Sequence, residues 1–350
     1  MGSMTALQSY QHLLETSRRV NWRLEDLIGE GRRLDFRRPF LPEVFAQTQP
    51  LGFLSPPEKL KLNQIRARGY LALFELVESF IVPFISDQAD DGAAAELVRA
   101  QALRHFADEE EKHRQLFSTV LREFDAEFGT ECGLIGPAKD ICQAILGHGP
   151  LAVTIAILGL EWMSQGHYLG SIKDNQDLDP QFKSLLKHHW IEEAQHAKLD
   201  GLVLKSLAQR GSAQDIATAI QEYFEIGAFL DGGFKQQAVL DLKSLEQAIG
   251  RTLPEAERGQ FLEVQHQALR WTFLGSAMKN RNFLAVLASV SDETAARVEE
   301  AAKSFTLHCG TAPTYANCSS RGNASSDRLP PDDRRPETAT STRDTLGEER

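Results

Sequence analysis

Nine residues, HHWIEEAQH at 188 to 196, hold three histidines and two glutamates. On a strand, His189, Glu193 and His196 could not share one face. On a helix their i, i+4 and i+7 spacing sets all three in a single stripe, with His188 and Glu192 about one residue's rotation away. Two imidazoles and a carboxylate on one stripe are nitrogen and oxygen donors suited to a divalent transition metal. The stretch DEEEKH at 108 to 113 repeats half of this pattern, because Glu110 and His113 stand in the same i, i+3 relation as Glu193 and His196. Each copy is preceded by an acid inside an apolar stretch, Glu75 in LALFELVESF and Glu161 in ILGLEWMS, at intervals of 35 and 32 residues.

A single Glu-x-x-His in an acidic helical chain costs nothing and reads as a solvated face. Two copies, each with a helical acid upstream, read differently: a bundle giving one Glu from each of two helices and Glu-x-x-His from each of the other two builds a dinuclear carboxylate site in its core. Glu161 follows an almost uncharged run from Leu151, and a lone carboxylate buried there is costly without a cation. Glu78, one turn beyond Glu75, competes with it for the first position; the interval favours Glu75. Glu109 and Glu192 precede the motif glutamates in both copies and are either solvent-exposed, the default, or outer acceptors that orient an imidazole, the reading preferred here. His105 and His167 lie off the stripes and read as structural, His266 as a core or pocket histidine, and Phe106 and Phe117 as core residues flanking the first motif.

These residues need long helices to position them, and the chain supplies them. Apolar positions recur at helical period from about residue 55 to 306, with prolines and glycines between the segments. Ser55, Pro56 and Glu58 form a helix start by capping box and N1 proline, and that helix is expected to run to about Pro83. Further helices are predicted over 92–128, 137–146, 150–173, 180–209, 213–243, 254–279 and 291–306, giving an all-α helical domain over 55–308. Residues 1–54 mix aromatics, arginines and prolines and predict an ordered, irregular arm packed on that domain. Residues 309–350 are rich in Ser, Thr, Pro, Asp and Arg and predict a disordered tail.

Composition narrows the function class. With 350 residues, 42% hydrophobic, and a formal net charge of −11, the chain has a core to bury and lacks the basic surface that nucleic acid or anionic lipid requires. The most apolar run, LAVTIAILGL at 151 to 160, is too short to span a bilayer, and MGSMTALQSY lacks the profile of a secretory signal, so a cytoplasmic protein without a membrane span is expected. Cys132, Cys142, Cys309 and Cys318 form no CxxC pair and are read as unpaired thiols.

The constellation resembles the ferritin-like di-iron carboxylate proteins over roughly residues 55 to 280. The additional His189, in the order His-x-x-Glu-Glu-x-x-His, is similar to the branch of that superfamily named for p-aminobenzoate N-oxygenase. The resemblance implies a ferritin-like four-helix bundle core with additional helices, binding two Fe ions, with Mn as an alternative, through Glu75, Glu110, His113, Glu161, His189, Glu193 and His196. Glu110 and Glu193 would be shared, Glu75 and His113 would sit on one iron, and Glu161, His189 and His196 on the other. It implies an O2-dependent oxygenase acting on a small organic substrate, with N-oxygenation of an aryl amine as the branch's reaction. No G-x-G-x-x-G opens a helix, so electrons are expected from a donor protein or small reductant. Pairing into a homodimer through long helices suits such a bundle. The competing classes are a ferritin-like protein that handles iron or peroxide, a di-iron C–H hydroxylase or desaturase, and a metal-free helical interaction protein.

Overall fold

The computed structural model describes residues 6–29, 31–90 and 97–307. The expected tail, with Cys309 and Cys318, lies outside the described residues. Among those described the fold is all-α, and strand-like pairing is limited to one isolated bridge between Gly29 and Arg32. Thirteen α-helices are named in chain order among them. They are α1 (Ala6–Ser17), α2 (Leu24–Leu27), α3 (Glu43–Ala46), α4 (Pro56–Asp90), α5 (Leu97–Phe128), α6 (Ala138–Leu146), α7 (Pro150–His167), α8 (Pro180–Arg210), α9 (Ala213–Ile249), α10 (Glu255–Arg270), α11 (Ser276–Met278), α12 (Arg281–Ala288) and α13 (Asp292–Ala302). A π-helical turn extends α7 over Tyr168–Ile172, and another joins α10 to α11 over Trp271–Gly275.

The four site-bearing helices are α4, α5, α7 and α8. Helix α4 packs along α5, α7 along α8, and α5 also meets α8. Local chemistry fixes where they start. The Glu58 carboxylate accepts from both the backbone N–H and the hydroxyl of Ser55 at 2.8 Å. Asp179 caps α8 by accepting from Phe182 N at 2.6 Å, and its other oxygen accepts from Asp35 N at 3.0 Å, so the same side chain ties down the N-terminal arm. Gly129 ends α5 at φ +76°, a left-handed position where glycine has no Cβ to clash.

Three sequence expectations change. Helix α4 does not stop at Pro83 but continues to Asp90. Proline inside a helix costs roughly 3 kcal/mol. Here Pro83 faces solvent, so the carbonyl it frees can be hydrated, while Phe80, Ile81, Phe84 and Ile85 around it are all buried and contribute about 1.5–3 kcal/mol each. The N-terminal arm is not irregular throughout, because α1 buries Tyr10, Leu13 and Leu14 against α5 and α8. Helix α12 fills the gap left between residues 279 and 291.

Helix α4 is long and apolar enough by composition to cross a membrane, yet most of its apolar window is buried in the bundle. Helix α9 is locked across it by a fully buried ion pair, Arg66 to Asp241 at 3.0 Å, with Gln237 also donating to Asp241 at 2.8 Å.

Candidate metal centre

Six of the seven residues singled out in the sequence converge between α4, α5, α7 and α8: Glu110, His113, Glu161, His189, Glu193 and His196, each no more than 3% exposed. The seventh does not. Glu75 lies half-buried on the outer side of α4, in a surface cleft with Glu111, Arg114, Ser118 and Arg122. Its place in the cluster is taken by Glu78, 2% exposed. The two acids are three residues apart, and only Glu78 points at the facing helices.

Within the cluster, His113 Nδ1 lies 3.1 Å from both Glu110 Oε2 and Glu193 Oε1. His196 Nδ1 is 2.9 Å from Glu110 Oε1 and 3.4 Å from Glu193 Oε2. His189 Nε2 is 2.7 Å from Glu193 Oε1 and 3.6 Å from Glu78 Oε1. Two sets of donor atoms each gather within 4.8 Å: Glu78, His113, His189 and Glu193, and Glu110, His113, Glu193 and His196. Glu193 belongs to both, as expected of a shared carboxylate, and so does His113, whereas Glu110, also expected to be shared, falls in one set. His189 groups with Glu78 and His113, whereas the sequence had sorted it with His196; one helical turn before Glu193, its ring swings toward α4. Glu161 joins Glu78, His189 and Glu193 around a small cavity.

The far side of each motif histidine is fixed crosswise. His113 Nε2 donates to Glu192 at 2.9 Å, and His196 Nε2 donates to Glu109 at 2.9 Å. Each copy's leading glutamate thus orients the other copy's imidazole, leaving both Nδ1 lone pairs aimed into the cluster. Glu192 is also paired with Lys112. Glu109 accepts from Ser17 at 2.6 Å, and Ser17 contacts His105 Nδ1 at 2.8 Å, which gives His105 a supporting place behind the centre. The arm supplies a second contact: the Trp22 ring stacks on His113 with centroids 6.0 Å apart, beneath Lys112 at 4.2 Å. Nothing in residues 1–22 carries a motif, so these contacts have no sign along the chain. His188 faces away, held to the Ser184 carbonyl at 2.7 Å. His167 bonds Tyr70 at 3.0 Å and Ser276 at 2.9 Å, and His266 bonds Asp231 at 2.7 Å.

The electrostatics of this donor set call for cations. Burial raises the Glu78 and Glu161 carboxyls well above their usual range, and the neighbouring charges of Glu110 and Glu193 push both further up. Burial works to lower His113 and His196, yet the carboxylates around them drive both well above the ordinary histidine value. Six buried atoms that face inward make no well-aligned hydrogen bond: Glu78 Oε2, Glu110 Oε1, Glu161 Oε2, His189 Nε2, Glu193 Oε1 and His196 Nδ1, although His189 Nε2 lies close to Glu193 Oε1 and His196 Nδ1 to Glu110 Oε1. Unpaired buried donors and acceptors of this kind cost several kcal/mol each unless something else binds them. Carboxylates and imidazoles in these numbers fit two divalent transition metals, Fe or Mn.

No protein-family model matches the chain, and no curated protein matches it. Among solved structures, it is similar to variants of an R2-like ligand-binding oxidase. One with an aerobically reconstituted Fe/Fe cofactor is 15% identical, with a TM-score of 0.43 over 75% of this chain and 92% of that one. Another, with an anaerobically reconstituted Mn/Fe cofactor, is 13% identical, with a TM-score of 0.43 over 78% and 92%. The chain therefore carries, on its own geometry, an all-α bundle whose core holds a buried glutamate and histidine centre for two metal ions.

Proposed function

We propose that this protein is an O2-dependent di-iron oxygenase that oxidises a small organic substrate, and that the substrate is an amine oxidised at nitrogen. The observation that carries the reading is the set of unpartnered inward donors, with a third imidazole, His189, beside the four glutamates and two histidines of the duplicated motif. When bound, two iron ions would supply the activation of O2 with electrons from a separate donor.

The chain's own residues do the rest. Glu192 and Glu109 hold His113 and His196 in the tautomer that presents Nδ1 to metal. Glu193 spans both donor sets. Phe106, stacked on His196 at 4.0 Å, and Phe117, edge-on to His189 at 5.1 Å, keep water from the imidazoles. A dry site strengthens every charge interaction inside it.

The test has two stages. Protein produced with ample iron should carry about two ions per chain, following the two donor sets, and Glu193→Ala should lose both. The reduced, iron-loaded protein should then consume O2 faster when an amine is present and yield a hydroxylamine or nitro product. Absence of iron, or iron content untouched by Glu193→Ala, would overturn the centre. Iron bound with O2 use indifferent to every organic substrate would leave an iron-handling bundle instead.

A further inference from the structure

Gly159 in α7 and Gly227 in α9 sit inside helices, where glycine is the least favoured residue after proline. Both line an apolar cleft between α4, α7, α9 and the π-helical turn Trp271–Gly275. A Cβ at Gly227 would meet nothing within 4 Å, so the missing side chain leaves open space. The cleft is narrow, with a cavity of about 30 Å³, and opens at its mouth. Its walls include Phe80, Ala156, Tyr223, Ile226, Phe273 and Met278, and none of its lining residues is charged. The π turn that supplies Phe273 is a kind of insertion often found at functional sites.

A second, smaller cavity lies against the centre, walled by Glu78, Glu161, His189 and Glu193 on one side and by Phe74, Val77, Ile81 and Leu160 on the other. Leu160 belongs to both cavities. Phe74 of the inner cavity meets Phe273 of the outer one, with ring centroids 6.0 Å apart. The two spaces thus share Leu160 and the Phe74–Phe273 contact, and the inner one is lined by Glu78 and Glu161, each with one carboxylate oxygen without a partner.

Resting on the oxygenase reading, we propose that this cleft is the substrate site and that it selects an uncharged, mainly apolar amine. The apolar tail lies among Tyr223, Ile226 and Leu230, and the amine end reaches past Leu160 toward Glu78 and Glu161. A substrate whose tail ends in a carboxylate is rejected, because that charge would leave water with no cation in the lining to receive it.

A matched pair of probes tests this: 4-butylaniline and 4-(4-aminophenyl)butanoate have the same length and the same amine, and differ in a terminal methyl against a carboxylate. Their binding to the full chain is measured by calorimetry, with and without iron. The neutral probe should bind, and the acid should bind at least about tenfold more weakly. Gly227→Phe and Gly227→Leu should weaken 4-butylaniline by at least about tenfold, Gly227→Ala by less, with melting temperature and iron content kept. Equal binding of the two probes by the unaltered protein, or full affinity in a folded Gly227→Phe or Gly227→Leu protein, overturns the proposal. The cleft and the chemistry fail separately. Binding in the predicted pattern without amine-stimulated O2 use supports the cleft while removing the oxygenase. Stimulated O2 use that Gly227→Phe leaves unchanged removes the cleft and keeps the oxygenase.

Discussion

Glu192→Ala takes away the acceptor that orients His113. In the native protein His113 Nε2 and Glu192 Oε2 lie 2.9 Å apart with both side chains fully buried, and Lys112 is the other partner of the same carboxylate. Without it, the imidazole N–H has no partner and the ring is free to present either nitrogen to the cluster. Outer carboxylates on ligating histidines contribute about 10–100-fold in metal affinity, or about 1.4–2.8 kcal/mol at 1.4 kcal/mol per tenfold. The metal-free protein should also lose about 1–3 kcal/mol, because a buried donor is left unsatisfied. Glu192→Gln keeps an acceptor without the charge and should fall between the two. The assay is anaerobic competition for Fe(II) against a chelator of known affinity, with thermal melts of the metal-free protein. Wild-type iron affinity and an unaltered iron spectrum in Glu192→Ala would refute the crosswise orientation. So would a Glu192→Gln variant as impaired as Glu192→Ala, since the acceptor itself would then not matter.

Glu78→Ala should reduce iron to about one ion per chain while Glu75→Ala leaves the content unchanged, by metal analysis of the two proteins purified in parallel; the reverse result would restore Glu75 to the centre. His189→Ala should change the Mössbauer spectrum of the iron-loaded protein and lower the occupancy of one position, whereas His188→Ala, whose imidazole is turned to the Ser184 carbonyl, should keep the native spectrum. Burial lowers the His167 pKa to about 3, below its unfolded value near 6.5. The stability it contributes is therefore complete above pH 6.5 and declines as pH falls toward 3, by up to about 1.4 kcal/mol per unit. His167→Gln should flatten the acid side of the melting-temperature profile over that window, and an unchanged slope would show that other groups control it.

The centre was readable in the sequence wherever its signal was a spacing along one helix. The i, i+3 and i+4 relations set Glu110 with His113 and His189 with Glu193 and His196, because helix geometry alone decides which side chains share a face. Glu109 and Glu192 were readable as orienting acceptors, but which histidine each serves depends on how α5 and α8 face one another, and no single-helix pattern contains that. The interval reading preferred Glu75, yet Glu78 stands 32 residues before Glu110, the same distance as Glu161 before Glu193, against 35 for Glu75, so equal spacing of the two copies points to Glu78. Ser17 and Trp22 were invisible for a different reason. Their contacts with Glu109 and His113 join residues 92 and 91 positions apart, brought together by the burial of Tyr10, Leu13 and Leu14 on α1, a helix too short to announce itself. Pro83 misled because the proline rule counts the lost hydrogen bond and not the apolar side chains that hold the helix beyond it.

One regularity does lie in the sequence and becomes visible once Glu78 is in place. An offset of 83 residues carries Glu78 to Glu161, Glu109 to Glu192, Glu110 to Glu193 and His113 to His196. The same offset carries Phe106 to His189 and Phe117 to Asp200, and there the halves part company. In the first half these positions are aromatic walls that lie against the second half's histidines, Phe106 on His196 and Phe117 on His189. In the second half they are an added donor and a buried acid. Asp200 has neither carboxylate oxygen hydrogen-bonded, and burial raises its pKa well above the usual value. Duplication thus explains the shared ligand frame, and divergence at two positions explains why the two metal positions are unequal. The extra imidazole falls on the side of Glu78 and Glu161, the side where the inner cavity opens, so the difference between the ions lies where a substrate would meet them.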